Sequence, residues 1–222
     1  MSPIYIYKDV QEYVPNENTI AYYKFDWNLN DSSENSHDMT LSTWTVTYWE
    51  TEQWWKYGYF NRNTWTNYRN YSWFNFDWKN TLSIRLNLQQ SITSWPATII
   101  EIWENSSNSF YRLCDNLNYA YALSSSSDVS ALTTWTRHNA IFARDWNSAS
   151  IYLDWALVRS WTPSVTWRTN QTVRFRVNQV ADTSTSTYAN NAYLSDLIWE
   201  SKAWSAQEVS DYYNMTKWNY WL

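Results

Sequence analysis

The chain has 222 residues, 44% of them hydrophobic, and a formal net charge of −5. That length supports one large domain with its own core, and the hydrophobic share excludes a disordered chain. The Lys and Arg residues are scattered without a basic run, which argues against a nucleic-acid partner and against electrostatic attachment to anionic lipid.

In chain order, "MSPIYIYKDVQEYVPNEN" has neither a basic n-region nor a long apolar h-region. Residues 1–18 therefore read as a leader or linker rather than a signal peptide, and 19–222 as one domain. No apolar run approaches the roughly 20 residues of a membrane span, so no membrane insertion is expected. From Ile20 onward, short apolar segments alternate with polar turns, and strands are expected at 20–25, 44–48, 56–60, 82–88, 97–102, 110–114, 119–123, 138–144, 150–154, 173–177 and 193–199. "LSIRLNL" sets Leu82, Ile84, Leu86 and Leu88 against Ser83, Arg85 and Asn87, and "VRFRV" sets Val173, Phe175 and Val177 against Arg174 and Arg176. Period two with one polar face is the pattern of an antiparallel sheet with one face in a core. Leu82, Ile84, Leu86, Ile151, Leu153, Val173, Phe175 and Val177 are the expected core. "SSSS" at 124–127 and "DTSTSTYANN" at 182–191 are polar loops. The one helix signal is "SAQEVSDYYN", where Ser205 and Glu208 form a capping box and Val209, Tyr212 and Tyr213 an apolar face. The sum is an all-β chain, a sandwich or a barrel, with one short C-terminal helix.

Glycine occurs once, at Gly58, and tryptophan 19 times. Average usage of about 7% would place roughly 16 glycines in such a chain. Many tryptophans stand in bend sequences: Trp27 in "FDWNLNDSS", Trp78 in "FDWKN", Trp146 in "ARDWNSAS" and Trp155 in "YLDWALV". Asp-Gly is the pair a two-residue hairpin prefers, so the largest side chain occupies the place of the smallest. Trp199, in an apolar strand, and Trp204, just before the helix cap, fit as true tryptophans. The other 17 of the 19 read as glycines written as tryptophan, as when UGA codons that mean glycine are translated with a table in which they mean tryptophan. On this reading Trp27, Trp146 and Trp155 stand where the backbone demands positive φ.

With glycine restored, four segments resemble the LamG-like jelly roll of the concanavalin A-like lectin/glucanase superfamily. They are "IAYYKFDWNLNDSSENSHDMTLS", "WWKYGYFNRN", "RHNAIFARDWNSASIYLDWALVRSW" and "LSDLIWESKAWSAQEVSDYY", in that order over about 20–218. Glu34, Ser36, Met39 and Arg62 depart from the pattern where the family often has Gly, and Arg85 and Arg137 where it often has Trp. The resemblance implies two antiparallel sheets packed face to face as a jelly-roll sandwich, with recognition of a glycan or a surface protein by loops and a sheet face.

Catalysis is tested first, because the superfamily includes glucanases. Its glucanases resemble Glu-x-Asp-x-Glu, whereas Glu101 and Glu104 in "EIWEN" are three apart and face opposite ways on a strand. His37 and His138 are the only histidines and make no zinc cluster; His138 reads as a hydrogen-bonded edge residue. The lone Cys114 reads as a small buried hydrophobe. No phosphate loop is present, and no cofactor is expected. The superfamily allows calcium, for which Asp26, Asp31, Asp145, Asp154 and Asp196 are the usable carboxylates, but their spacing suits turn formation better. The expectation is a non-enzymatic binding module. Its candidate ligand residues are Arg85, Asn87, Arg144, Tyr152, Arg174, Arg176 and Asn178 on the polar strand faces, placed at a cell surface or on a virion. A structural phage-tail, fibre or surface-appendage component is the alternative.

Overall fold

The computed structural model describes residues 11–41, 47–50, 56–60, 68–76, 79–89, 98–104, 109–114, 132–133, 135–162, 171–177 and 191–217. Among the described residues it is an antiparallel β-sandwich with one helix. The strands are β1 (Thr19–Tyr23), β2 (Thr40–Leu41), β3 (Thr47–Glu50), β4 (Lys56–Phe60), β5 (Tyr68–Phe76), β6 (Asn80–Leu88), β7 (Thr98–Glu104), β8 (Ser109–Cys114), β9 (Arg137–Asp145), β10 (Ser148–Leu153), β11 (Ala156–Trp161), β12 (Gln171–Val177) and β13 (Ala192–Glu200); α1 spans Ala206–Thr216. One sheet runs β11-β10-β9-β6-β13-β4-β3, and the other β2-β5-β12-β7-β8. β4 pairs with the first part of β13 and β1 with its last part, end to end along one edge. The break between them falls at a bulge in β13 between Ser195 and Ile198, where Asp196 takes φ 46°.

Alternation along the strands divides the larger sheet into two faces. Leu82, Ile84, Leu86, Leu88, Ala140, Phe142, Ile151, Leu194 and Trp199 bury the inner face, with Leu153 half-buried against them. On β12, Val173, Phe175 and Val177 share one face by register; their side chains lie outside what is described. The outer face of the larger sheet is partly covered by a second cluster, in which Tyr22, Ile141, Tyr152 and Ile198 meet Tyr13 from the N-terminal segment and Trp204, Val209 and Tyr212 from the C-terminal one.

α1 begins as the sequence requires. Ser205 Oγ accepts from Glu208 N, and the Glu208 carboxylate accepts from Ser205 N, a closed capping box. Val209 and Tyr212 are buried. Residues 11–18, expected as a linker, instead form a strap across the outer face. Its anchor is buried Glu200, whose carboxylate accepts from the Tyr13 hydroxyl, from Asn16 Nδ2 at 3.0 Å and from the Trp204 indole N–H.

The bends correct part of the tryptophan reading. Among the described residues positive φ falls on Phe25 (55°), Ser36 (58°), Trp135 (62°), Asp154 (61°) and Asp196 (46°), not on Trp27, Trp146 or Trp155. In the β10–β11 turn the left-handed residue is Asp154, which its short polar side chain permits; Asp154 Oδ1 accepts from Asn139 N at 3.0 Å. Trp155 then keeps ordinary φ and its ring extends into solvent. Trp49, Trp73, Trp103 and Trp161 lie within strands rather than turns. Trp199 and Trp204 are 2% and 8% exposed and Trp27, Trp135, Trp146 and Trp155 are 51–71% exposed, but Trp161, grouped with the latter by the sequence, is half-buried and packs against the core.

Candidate functional site

The outer face of the larger sheet carries a row set by strand register. Tyr59 on β4 stands opposite Tyr193 on β13, Tyr193 opposite Asn87 on β6, and Asn87 opposite Arg137 on β9. Tyr57, two residues before Tyr59, shares its face. The rings make one cluster: Tyr57 and Tyr193 centroids are 4.5 Å apart, and Tyr59 and Tyr193 are 5.0 Å apart. Asn87 Oδ1 accepts from Gln89 Nε2 at 2.8 Å. All of these side chains are half-buried. Partial burial, and then Tyr193, push the Tyr57 and Tyr59 hydroxyls up, while Arg137 opposes the rise at Tyr57. The phenols therefore stay neutral donors and acceptors at neutral pH. Their edges, two side-chain amides and a guanidinium form a surface that can stack a flat apolar face and hydrogen-bond its polar rim.

One row further along β6 the face closes. Arg85 is 2% exposed; its Nη1 lies 2.8 Å from Asp196 Oδ2, and its guanidinium sits 5.7 Å from the centre of the Tyr212 ring on α1. Tyr22 donates to the other Asp196 oxygen at 2.6 Å. Tyr152 is also sealed into this cluster. Arg144 is 3% exposed and, by alternation, shares the inner face of Ala140 and Phe142. Arg174 and Arg176 stand on β12 of the smaller sheet, opposite Trp103 and Glu101; nothing of their side chains is described, and Asn178 lies outside the described residues. The expected ligand residues whose side chains are described, Arg85, Asn87, Arg144 and Tyr152, form no common exposed surface. Arg85, Tyr152 and Arg144 are buried, and Asn87 alone joins the tyrosine row. Tyr57, Tyr59, Tyr193 and Arg137 were not among the candidate ligand residues, although "KYGYF" does carry tyrosine at period two.

Other polar groups hold loops. Asp31 accepts from Tyr22 N, Ser33 N and His37 N at 2.8–3.0 Å, which folds residues 31–37 around one carboxylate. Asp26 and Asp145 accept from Trp27 N and Trp146 N. His138 bridges Thr133 Oγ1 at 2.8 Å and Asp154 Oδ2 at 3.3 Å. Because Asp154 also receives Asn139 N and donates its own N–H to Asn139 O at 2.7 Å, this chain clamps the β10–β11 turn onto β9. Among the described residues no three His, Cys, Asp or Glu side chains gather as metal ligands, and no helix is long and apolar enough to cross a membrane. Glu101 and Glu104 both lie on β7, three residues apart; their side chains lie outside what is described.

The architecture recurs among solved structures. Domain 4 of AbnA, a GH43 extracellular arabinanase from Geobacillus stearothermophilus, solved in complex with arabinotriose, is 15% identical at a TM-score of 0.65, covering 90% of this chain and 98% of that one. The botulinum neurotoxin type G receptor binding domain is 14% identical at a TM-score of 0.62, covering 89% of this chain and 51% of that one. Trypanosoma rangeli sialidase in complex with the inhibitor DANA is 9% identical at a TM-score of 0.61, covering 90% of this chain and 33% of that one. The chain thus spans about half of the toxin domain and a third of the sialidase. At these identities the likeness shows the fold. No protein-family model matches the sequence, and no curated protein sequence matches it.

Proposed function

We propose that the protein is a non-enzymatic recognition module that binds a cell-surface carbohydrate on the row Tyr57, Tyr59, Tyr193, Asn87 and Arg137. The observation that carries this reading is the tyrosine cluster itself, three rings within 5.0 Å of a neighbour, left half-exposed on a sheet face whose next row is sealed by α1. Similar sandwiches solved with arabinotriose or as a receptor binding domain support it. Kinship with LamG-like domains belongs to the same reading. Its support is the Asp31-centred turn and Ser36 at φ 58°, where that family often has glycine. A glycan array probed with the purified chain tests the function. Tyr193→Ala removes the central ring and weakens binding by about tenfold or more without unfolding the sheet. Silence across the array, or unchanged binding by Tyr193→Ala, overturns the assignment.

The exposed tryptophans are left out of this surface for a physical reason. Trp27, Trp135, Trp146 and Trp155 sit at bends with rings in solvent, and Trp135 is left-handed, an outlier for so bulky a residue. In the protein as its cell makes it, these positions carry glycine, and the printed indoles arise from decoding UGA as tryptophan. In-frame UGA codons there, and glycine in peptide mass spectra of the native protein, are the expected results; UGG codons overturn the reading.

A further inference from the structure

A second polar concavity lies apart from the tyrosine row. The strap, with Glu12 and Tyr13, the loop with Asp26, Asn28, Asn30 and Ser32, and Tyr22 and Lys24 line an open cleft of about 550 Å³. Its walls are held before any ligand arrives. Lys24 Nζ lies 2.7 Å from Glu12 Oε2, tying the segment after β1 to the strap. Asn28 Oδ1 accepts from Asn30 N at 2.9 Å, Ser32 N donates to Tyr22 O at 2.6 Å, and Asp31 fixes the loop to Tyr22 N. Val14 and Pro15 add an apolar wall.

We infer that this cleft is a ligand site for a short neutral oligosaccharide. Carboxylates supply acceptors, Lys24 supplies donors, and amides and a hydroxyl supply both, which is the mixture that sugar hydroxyls satisfy. Lys24 is ion-paired with Glu12 and also interacts electrostatically with Asp26, so one cation offsets part of the charge of both carboxylates in the lining. That balance favours a neutral polyol over a strongly basic peptide. The volume lies within the range of small-ligand sites, and walls fixed by internal hydrogen bonds lower the ordering cost of binding.

The test is calorimetric titration of the full chain with arabinotriose, maltotriose, cellotriose and chitotriose, and with a Lys/Arg-rich decapeptide. Ser32→Tyr fills the cleft from an exposed position, and Asn30→Ala removes one amide; thermal melts confirm that both fold. One trisaccharide is expected to bind, and each variant to weaken it by about tenfold or more, while Tyr193→Ala leaves that component intact. Sugar binding lost to Tyr193→Ala but untouched by the cleft variants overturns this inference and leaves the tyrosine row standing. Loss of the trisaccharide component through the cleft variants alone supports this inference, and the tyrosine row is judged by its own glycan-array test. Binding of the decapeptide in place of sugar, or of no probe, also overturns it.

Discussion

Replacing Trp135 with glycine distinguishes a strained bend from a packed indole. Trp135 holds φ 62° with 71% of its surface exposed. Its N–H donates to Leu88 O at 2.7 Å, a bond that glycine keeps. A left-handed residue with a Cβ costs about 1–2 kcal/mol, and glycine returns about 0.4–1 kcal/mol of that through a freer unfolded chain. The exposed ring adds little burial. Trp135→Gly should therefore stabilise the fold by about 0 to 1.6 kcal/mol. Trp199→Gly is the contrast: its ring is 2% exposed on β13. Truncating a buried aromatic costs about 3–5 kcal/mol, and glycine within a strand costs about a further 0.5–1 kcal/mol. Urea unfolding followed by circular dichroism measures both, and each kcal/mol should move the melting temperature by about 2–4 °C in a chain of this size. A loss above about 1 kcal/mol for Trp135→Gly, beyond the usual effect of a surface change, would mean that the indole is packed, and the argument from bends would fail.

Glu200→Ala should destabilise by about 2–4 kcal/mol, because the Tyr13 and Trp204 donors lose a buried acceptor; limited proteolysis should then cut within residues 11–18, and an uncut strap would refute its anchoring at Glu200. Ser205→Ala should cost about 1 kcal/mol through the lost helix cap, read by urea unfolding; no change would show that the capping box contributes nothing. Alkali provides the pH test. Burial first, then the charge and hydrogen bond of Asp196, hold the Tyr22 hydroxyl far above the usual tyrosine range. Burial and then Glu200 do the same for Tyr13, and burial for Tyr212. Groups raised in the folded state contribute stability that is complete below the unfolded value of about 10 and is lost as pH climbs above it toward the folded values. Tyrosinate absorbance should therefore rise late and together with unfolding. Tyr22→Phe should flatten the alkaline loss of stability, and an unchanged slope would refute the assignment.

Several elements were legible because their signals are local. The alternation in "LSIRLNL" became the buried inner face of β6, and Ser205 with Glu208 became a closed cap. β5 went unread: "YRNYSWFNF" holds asparagines, an arginine and a tryptophan taken for a turn residue. It becomes a strand through pairing with β12 and β2, partners far away in the chain.

The sequence alone determined the class of fold, the inner face of β6 and the helix start, because period two and capping chemistry act over a few residues. It set Trp199 and Trp204 apart as buried residues, but it placed Trp49, Trp73, Trp103 and Trp161 with the bends although they lie in strands. Only the tertiary structure decided what each polar strand face meets. Arg85 reads as a solvated residue until α1 and Asp196 close over it, and Tyr59, Tyr193, Asn87 and Arg137 become neighbours only through the register of four strands. A strand's own residues fix which side a chain points to; what stands on that side is set by segments distant in sequence.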